Sequence, residues 1–164
     1  MKQHEFTALY REYSKPLYNF IRWTTGYSAM SDDITQNMFI KVLRSENAPC
    51  DPVEIRRWLY AIARNACIDY FRSNARLTNF KNNYTAECAV NGSIEVDETH
   101  DSEEIWKQLA KLPDIDRSIL YLHLKEGYAY KEIADTLEMN ENQVRVKAFR
   151  ALRKLRDEMC RAEV

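Results

Sequence analysis

Apolar side chains recur three and four places apart through most of this sequence, the spacing that puts them on one face of an α-helix. Phe6, Leu9, Tyr10, Tyr13, Leu17, Phe20 and Ile21 mark such a face over residues 5 to 26, with Gly26 at its end. Pro16 falls inside it and should kink the helix or divide it in two, because proline lacks the N–H that a helix interior uses. Ser31 is a good residue to cap the next helix, and Asp32 and Asp33 suit its positive end. There Ile34, Met38, Phe39, Val42 and Leu43 point inward. Asp32, Asp33, Gln36, Asn37, Lys41 and Arg44 point outward, and taken alone that face is ordinary solvated surface.

Arg44 to Cys50 reads as a loop. Asp51-Pro52-Val53-Glu54 then supplies a cap, a proline in the first turn and an acid at the third helical position. This third helix should run to about Ser73, with Ile55, Leu59, Ile62, Ala66 and Tyr70 buried. Trp58 is best assigned to the core. Leu77 to Asp101 shows no sustained period and carries Asn82-Asn83 and Asn91-Gly92-Ser93, so it reads as a linker between two domains. Ser102 caps a further helix that ends at Leu112-Pro113. Asp114 starts another, with Ile115, Ile119, Leu120, Leu122 and Leu124 inside and Gly127 at its end.

The last stretch, Gly127 to Arg156, predicts two helices joined by a tight turn. Ile133, Ala134, Leu137 and Val144 would form a small apolar contact between them. Asn140 can cap the second helix, which then starts at Glu141, with Gln143 at the capping-box position. A pair of this kind lays its second helix in the major groove of DNA. Asn and Gln can pair with adenine and Arg with guanine, so Glu141, Asn142, Gln143 and Arg145 are candidate base readers. A basic amphipathic helix is more often a solvated face than a DNA reader. The order of helix, turn and cap favours DNA.

With 164 residues, 45% apolar, 3 Gly and 4 Pro, the chain fits an all-α protein of two small helical domains. Their expected limits are 1–76 and 102–164, joined by the linker 77–101. A glycine-rich phosphate loop is excluded by the same counts. No apolar run approaches the ~20 residues of a membrane span, and the first residues lack a signal-peptide core, so a cytoplasmic protein without direct membrane insertion is expected. Four scattered cysteines and three scattered histidines give no metal spacing and no disulfide framework. Reduced thiols filling small spaces are expected, with no cofactor and no small-molecule substrate.

The formal charge of -1 hides strong segregation. Residues 56–81 carry six basic side chains and one acid, residues 82–105 seven acids and no Lys or Arg, and residues 143–161 seven basic side chains and two acids. Two basic units thus flank an acidic connector. The third helix, with Arg64, Asn65 and Arg72 beside aromatic rings, suits single-stranded DNA, where cations track phosphates and flat groups stack on bases.

Three stretches then resemble one family, the bacterial extracytoplasmic-function sigma factors of the primary-sigma-like superfamily. RRWLYAIARNACIDYFR (56–72) is similar to their promoter-opening helix, and SDDITQNMFIKVL (31–43) to their polymerase-docking helix. Residues 112–156 are similar to their promoter-binding domain. The resemblance implies a non-enzymatic initiation factor that joins core RNA polymerase and directs it to promoter DNA. It implies docking through Asp32, Asp33, Gln36, Phe39 and Lys41. It places Tyr60, Arg64, Asn65, Asp69 and Arg72 at the melted strand, with a flipped base held by the loop 44–50. It assigns the duplex box to Asn140, Glu141, Asn142, Gln143, Arg145, Lys147 and Arg150. An anti-sigma factor is a further implied partner. The family's linker passes through basic channels of polymerase, which the acids of 82–105 would suit; a solvated spacer explains the same charge. The sequence departs from the pattern at Glu138, where Gly is common, at Ala129, where a capping Ser or Thr is common, and at Asn37, where Glu is common.

Two other functions fit parts of the chain. A stand-alone dimeric helix-turn-helix regulator explains residues 112–161 but not the basic helix at 56–72. An adaptor mimicking such a factor should have lost its base-reading side chains, yet Asn65, Asn142, Gln143 and Arg145 are retained.

Overall fold

Capping and burial set the three helices that build the amino-terminal half: α1 (Gln3–Thr25), α2 (Ser31–Arg44) and α3 (Pro52–Phe80). The computed structural model describes residues 1–26, 29–80 and 107–162, with the side chains of 77–80 and 162 left aside. The chain divides into two compact units, Met1–Gly92 and Ser93–Val164. The fold is all-α, and the described residues contain no strand.

In the first unit each helix packs on both others. Leu17, Phe20, Ile21, Met38, Val42, Leu59 and Ala63 are fully buried between them. Each large apolar side chain so buried contributes roughly 1.5–3 kcal/mol. Pro16 does not divide α1, which runs unbroken through it. The helix is pinned on both sides of the proline. Leu17, Phe20 and Ile21 are buried after it, while Phe6 and Tyr10 before it pack against Phe39, with ring centroids 6.3 and 4.8 Å away. Gly26 ends α1 with φ 72°, donating its N–H to the Arg22 carbonyl.

Ser31 is not the cap of α2. Met30 holds that position, and Ser31 sits buried in the first turn. The hydroxyl hydrogen of Thr25 goes to the Ile21 carbonyl at 2.8 Å, so the Ser31 hydroxyl donates to Thr25 Oγ1 at 3.2 Å and ties the end of α1 to the start of α2. Asp51 does cap α3, its Oδ2 accepting from the N–H groups of Val53 (3.0 Å) and Glu54 (3.1 Å). α3 runs seven residues past the expected end at Ser73, since Asn74 to Phe80 contain no Gly or Pro to stop it. Four residues assigned to the linker are therefore helical; 81–100 and the acids Glu87 to Glu104 lie outside the described residues.

The second unit shows helical backbone at 107–110, then α4 (Asp114–Leu124), α5 (Tyr130–Leu137) and α6 (Glu141–Ala162). The start of the helix expected from Ser102 lies outside the described residues. Leu109, Leu112, Ile119, Leu120, Leu122, Ile133, Val144, Ala148 and Ala151 form the core. Leu124, expected inside, is exposed at the last position of α4. Arg117 is buried and donates from Nη1 to the carbonyls of Leu112 (2.6 Å) and Ala110 (3.3 Å). Those carbonyls follow a helix end, where intrahelical partners run out.

Candidate nucleic-acid interface

The helix-turn-helix is built by three local devices. The α4–α5 turn uses Gly127 at φ 70°, where a left-handed backbone is needed, and buries Tyr128. α5 begins without a side-chain cap at Ala129. Glu132 compensates in part by accepting the Ala129 N–H at 2.9 Å, one half of a capping box. α5 ends at Glu138, which takes φ 53°, ψ 47°; its N–H and that of Met139 both go to the Ala134 carbonyl. Glu138 is the one non-glycine residue with positive φ among those described. Asn140 then caps α6, its Oδ1 accepting the Asn142 N–H at 2.8 Å.

On α6, Val144, Ala148 and Ala151 face the core and fix which side is presented. Asn142, Gln143, Arg145 and Arg150 are exposed. The Asn140 oxygen accepts the cap bond, and its Nδ2 hydrogens are not used in it. Glu141 holds Arg145, which donates from Nη2 at 2.6 Å and from Nε at 3.2 Å to Glu141 Oε1. Lys147 is half-buried and turns toward α4, with Nζ 3.8 Å from Asp116 Oδ1. Burial raises the Asp116 pKa and the nearby Lys147 opposes that rise. Val146 and Phe149 escaped the periodicity of the sequence. Both are exposed, Phe149 to 67%, on the face that carries Arg145 and Arg150. Their signal was an apolar pair out of register with the stripe Val144, Ala148, Ala151. Apolar side chains there can meet thymine methyl groups.

In the first unit the expected site residues separate into two groups. Asp32, Asp33, Gln36 and Lys41 are exposed on α2. Phe39 is buried against Phe6 and Tyr10, so it shapes the helix from inside and offers no surface. Burial chiefly raises the pKa of the Tyr18 phenol, Arg22 opposes that rise and Asp32 adds to it. On α3, Asn65, Asp69 and Arg72 are exposed, and Arg76 extends the same strip at helical spacing. Tyr60 and Arg64 are not on it. Tyr60 is fully buried, edge-on to Phe20 with centroids 5.2 Å apart, and Arg64 is only 8% exposed. The buried arc is wider than the periodicity suggested, because α3 packs on two helices at once. Trp58, expected in the core, is half-buried. Between α2 and α3 lies an open groove of about 440 Å³ lined by Asp33, Asn37, Lys41, Asp69 and Tyr70. Of the cysteines, Cys67 fills core space as expected, whereas Cys50 and Cys160 are exposed thiols.

Two family profiles match this architecture: sigma-70 region 2 over residues 9–77 and sigma-70 region 4 over residues 102–155. Together they cover three quarters of the chain, one in each unit. The chain belongs to the sigma-70 family of RNA polymerase sigma factors, in its extracytoplasmic-function class. Among curated relatives, RNA polymerase sigma factor YlaC of Bacillus subtilis is 27% identical, covering 94% of this chain and 91% of its own. Extracytoplasmic-function sigma factor SigX of the same species is 26% identical over 96% and 84%. Among solved structures, sigma factor RpoE from Bartonella quintana, in complex with anti-sigma factor NepR, has a TM-score of 0.80 at 17% identity, covering 93% and 95%. CnrH in complex with the cytosolic domain of CnrY has a TM-score of 0.68 at 22% identity, covering 99% and 92%. These likenesses carry the fold. As a sigma factor the chain is a non-enzymatic initiation factor whose partners are core RNA polymerase and promoter DNA. None of the described helices is long and apolar enough to cross a membrane.

Proposed function

We propose that this sigma factor reads its promoter in two physical states. α6 reads the upstream box as duplex through Asn142, Gln143, Arg145 and Arg150, with Val146 and Phe149 adding apolar contacts. The exposed strip Asn65, Asp69, Arg72 and Arg76 on α3, beside the loop 45–51, holds bases of the melted strand. The observation that carries this reading is the capped start of α6, which leaves four polar base-reading side chains clear of the core. Amide and guanidinium groups at a helix start match the hydrogen-bonding edges of the major groove. Asp32, Asp33, Gln36 and Lys41 form the docking face for polymerase. Phe39 holds that face in place from beneath.

One solved neighbour, RpoE, is a complex with an anti-sigma factor, and another, CnrH, is a complex with the cytosolic domain of CnrY. By extension, an anti-sigma factor holds this chain inactive until released. A dimeric regulator would need only the second unit, and a region 2 match in the first unit favours the initiation factor. Run-off transcription with purified bacterial core polymerase, on fragments of the source genome, tests the reading. New sequence-specific transcripts that depend on this protein support it. Duplex binding without transcripts would move the assignment to the regulator.

A further inference from the structure

Arg145 is long and exposed, and discrimination by a base-reading arginine depends on where its guanidinium stands. Two groups from different helices hold it. Glu141 pairs with it along α6 through Nε and Nη2. From α5, the Tyr130 ring lies under the guanidinium, 5.8 Å from its carbon to the ring centroid, within the range of cation–π attraction. Tyr130 is itself backed by His123 on α4, with centroids 4.6 Å apart and planes 24° from parallel. A carbonyl only accepts, so His123 Nδ1–H donates to the Tyr128 carbonyl at 2.9 Å. Tyr128 is buried in the core at the turn. A continuous column therefore runs from the core outward: Tyr128, His123, Tyr130, Arg145.

We infer that His123 and Tyr130 are positioning residues that set the Arg145 guanidinium for base readout. The inference rests on the base-reading role proposed for Arg145. Neither residue belongs to the base-reading set, and the helix-turn-helix pattern gives His123 no part. The physical reason is entropy. A guanidinium stacked on a ring and paired in its plane keeps few of its rotamers, so less freedom is lost when it meets a base. Nη1 takes no part in the Glu141 pair. Glu141 alone would leave the plane of the pair free to swing about the helix surface; the ring fixes it.

The test uses the full chain and the promoter duplex found by run-off transcription, together with single-base variants of its upstream box. Arg145→Ala is expected to lose about tenfold or more in discrimination at one base pair. Tyr130→Leu and His123→Leu should each lose several-fold at that same base pair, whereas Tyr130→Phe should stay within about twofold because it keeps the ring. Combined with Arg145→Ala, Tyr130→Leu should remove no further discrimination. In the DNA-free protein the Arg145 Nε–H proton resonance, shifted by the ring, should move toward its free value in Tyr130→Leu and not in Tyr130→Phe. Full discrimination in Tyr130→Leu beside a loss in Arg145→Ala would overturn the inference alone. An additional loss on the Arg145→Ala background would show Tyr130 acting on DNA directly and would overturn it too. Unchanged discrimination in Arg145→Ala would remove the base-reading role and the inference together. An Arg145 resonance indifferent to the ring would sink the column even if a variant bound DNA too weakly to measure.

Discussion

Lys41 Nζ donates to Asp69 Oδ2 at 3.1 Å, joining the outer faces of α2 and α3. The resemblance assigns Lys41 to polymerase docking and Asp69 to the melted strand, yet the two form one contact across the groove. Both side chains are more than half exposed, 54% and 60%. Solvent screening then limits the pair to about 0.2–1 kcal/mol. Its larger effect is on charge. On the proposed reading, in which Asp69 and Arg72 face the melted strand, Lys41 offsets a carboxylate that would otherwise repel phosphates. Lys41→Ala should cost under about 1 kcal/mol in urea denaturation and weaken binding to a melted-promoter template. Lys41→Ala/Asp69→Asn should recover most of that binding. A double variant no better than Lys41→Ala would show that Asp69 does not face the strand.

Glu138 holds a left-handed backbone that glycine would adopt without strain. A non-glycine residue there costs on the order of 1 kcal/mol, and the added freedom of glycine in the unfolded chain returns part of that gain. Glu138→Gly should therefore stabilise the second unit by somewhat under ~1 kcal/mol, seen as a higher urea midpoint at unchanged slope. Glu138→Val, β-branched at the same φ, should lower the midpoint. The reverse order would mean the α5–α6 turn is not left-handed in solution.

Asp116 should make stability depend on pH in the direction opposite to an ordinary ion pair. Burial raises its pKa, Lys147 lowers it by less, and Asp114 adds to the rise. The folded protein thus binds this proton more tightly than the unfolded chain does. The contribution of Asp116 is fully present below the ordinary carboxylate value of about 3.9. It is lost as pH climbs through the raised value. Asp116→Asn removes the titration, so its stability relative to the parent should grow as pH rises across that window and then level off. Paired urea melts from pH 4 to 7.5 measure the difference. A difference that does not change with pH would mean that Asp116 titrates alike in both states.

The helices themselves were legible in the sequence because burial and capping act locally. Asp51, Pro52, Asn140 and Gly26 each hold the position their chemistry favours. What was not legible depended on partners distant in sequence. Pro16 sits in an unbroken helix because Phe39 and the unit core anchor α1 on both sides of it. Ser31 lost its capping role to a hydroxyl contact with Thr25. Tyr60 and Arg64 are assigned to the melted strand by the family resemblance, and periodicity does not flag them as buried because it describes one stripe, whereas α3 packs on two helices. Phe39 carried two assignments, core and docking, and packing admits only the first. On α6 residue type singles out the exposed polar side chains Asn142, Gln143 and Arg145, while Val146 and Phe149, being apolar, read first as core although both are exposed. His123 gave no signal at all, since stacking across three helices leaves no spacing in one dimension.

The proposed division of labour on α6 predicts two different losses. Arg145 stands in the second turn, paired with Glu141, whereas Lys154 is exposed about 20 Å from the helix start at 1.5 Å per residue. Contacts to phosphate carry affinity without sequence, and contacts to base edges carry the discrimination. Arg145→Ala should reduce binding to the cognate duplex far more than to a scrambled one. Lys154→Ala should weaken both alike and lower the dependence of log K on log salt by about one, the share of one neutralised phosphate. Fluorescence anisotropy on both duplexes across 50–200 mM salt measures each quantity. Equal losses on the two duplexes for Arg145→Ala would place that side chain on the backbone, and base selection would then pass to Asn142 and Gln143.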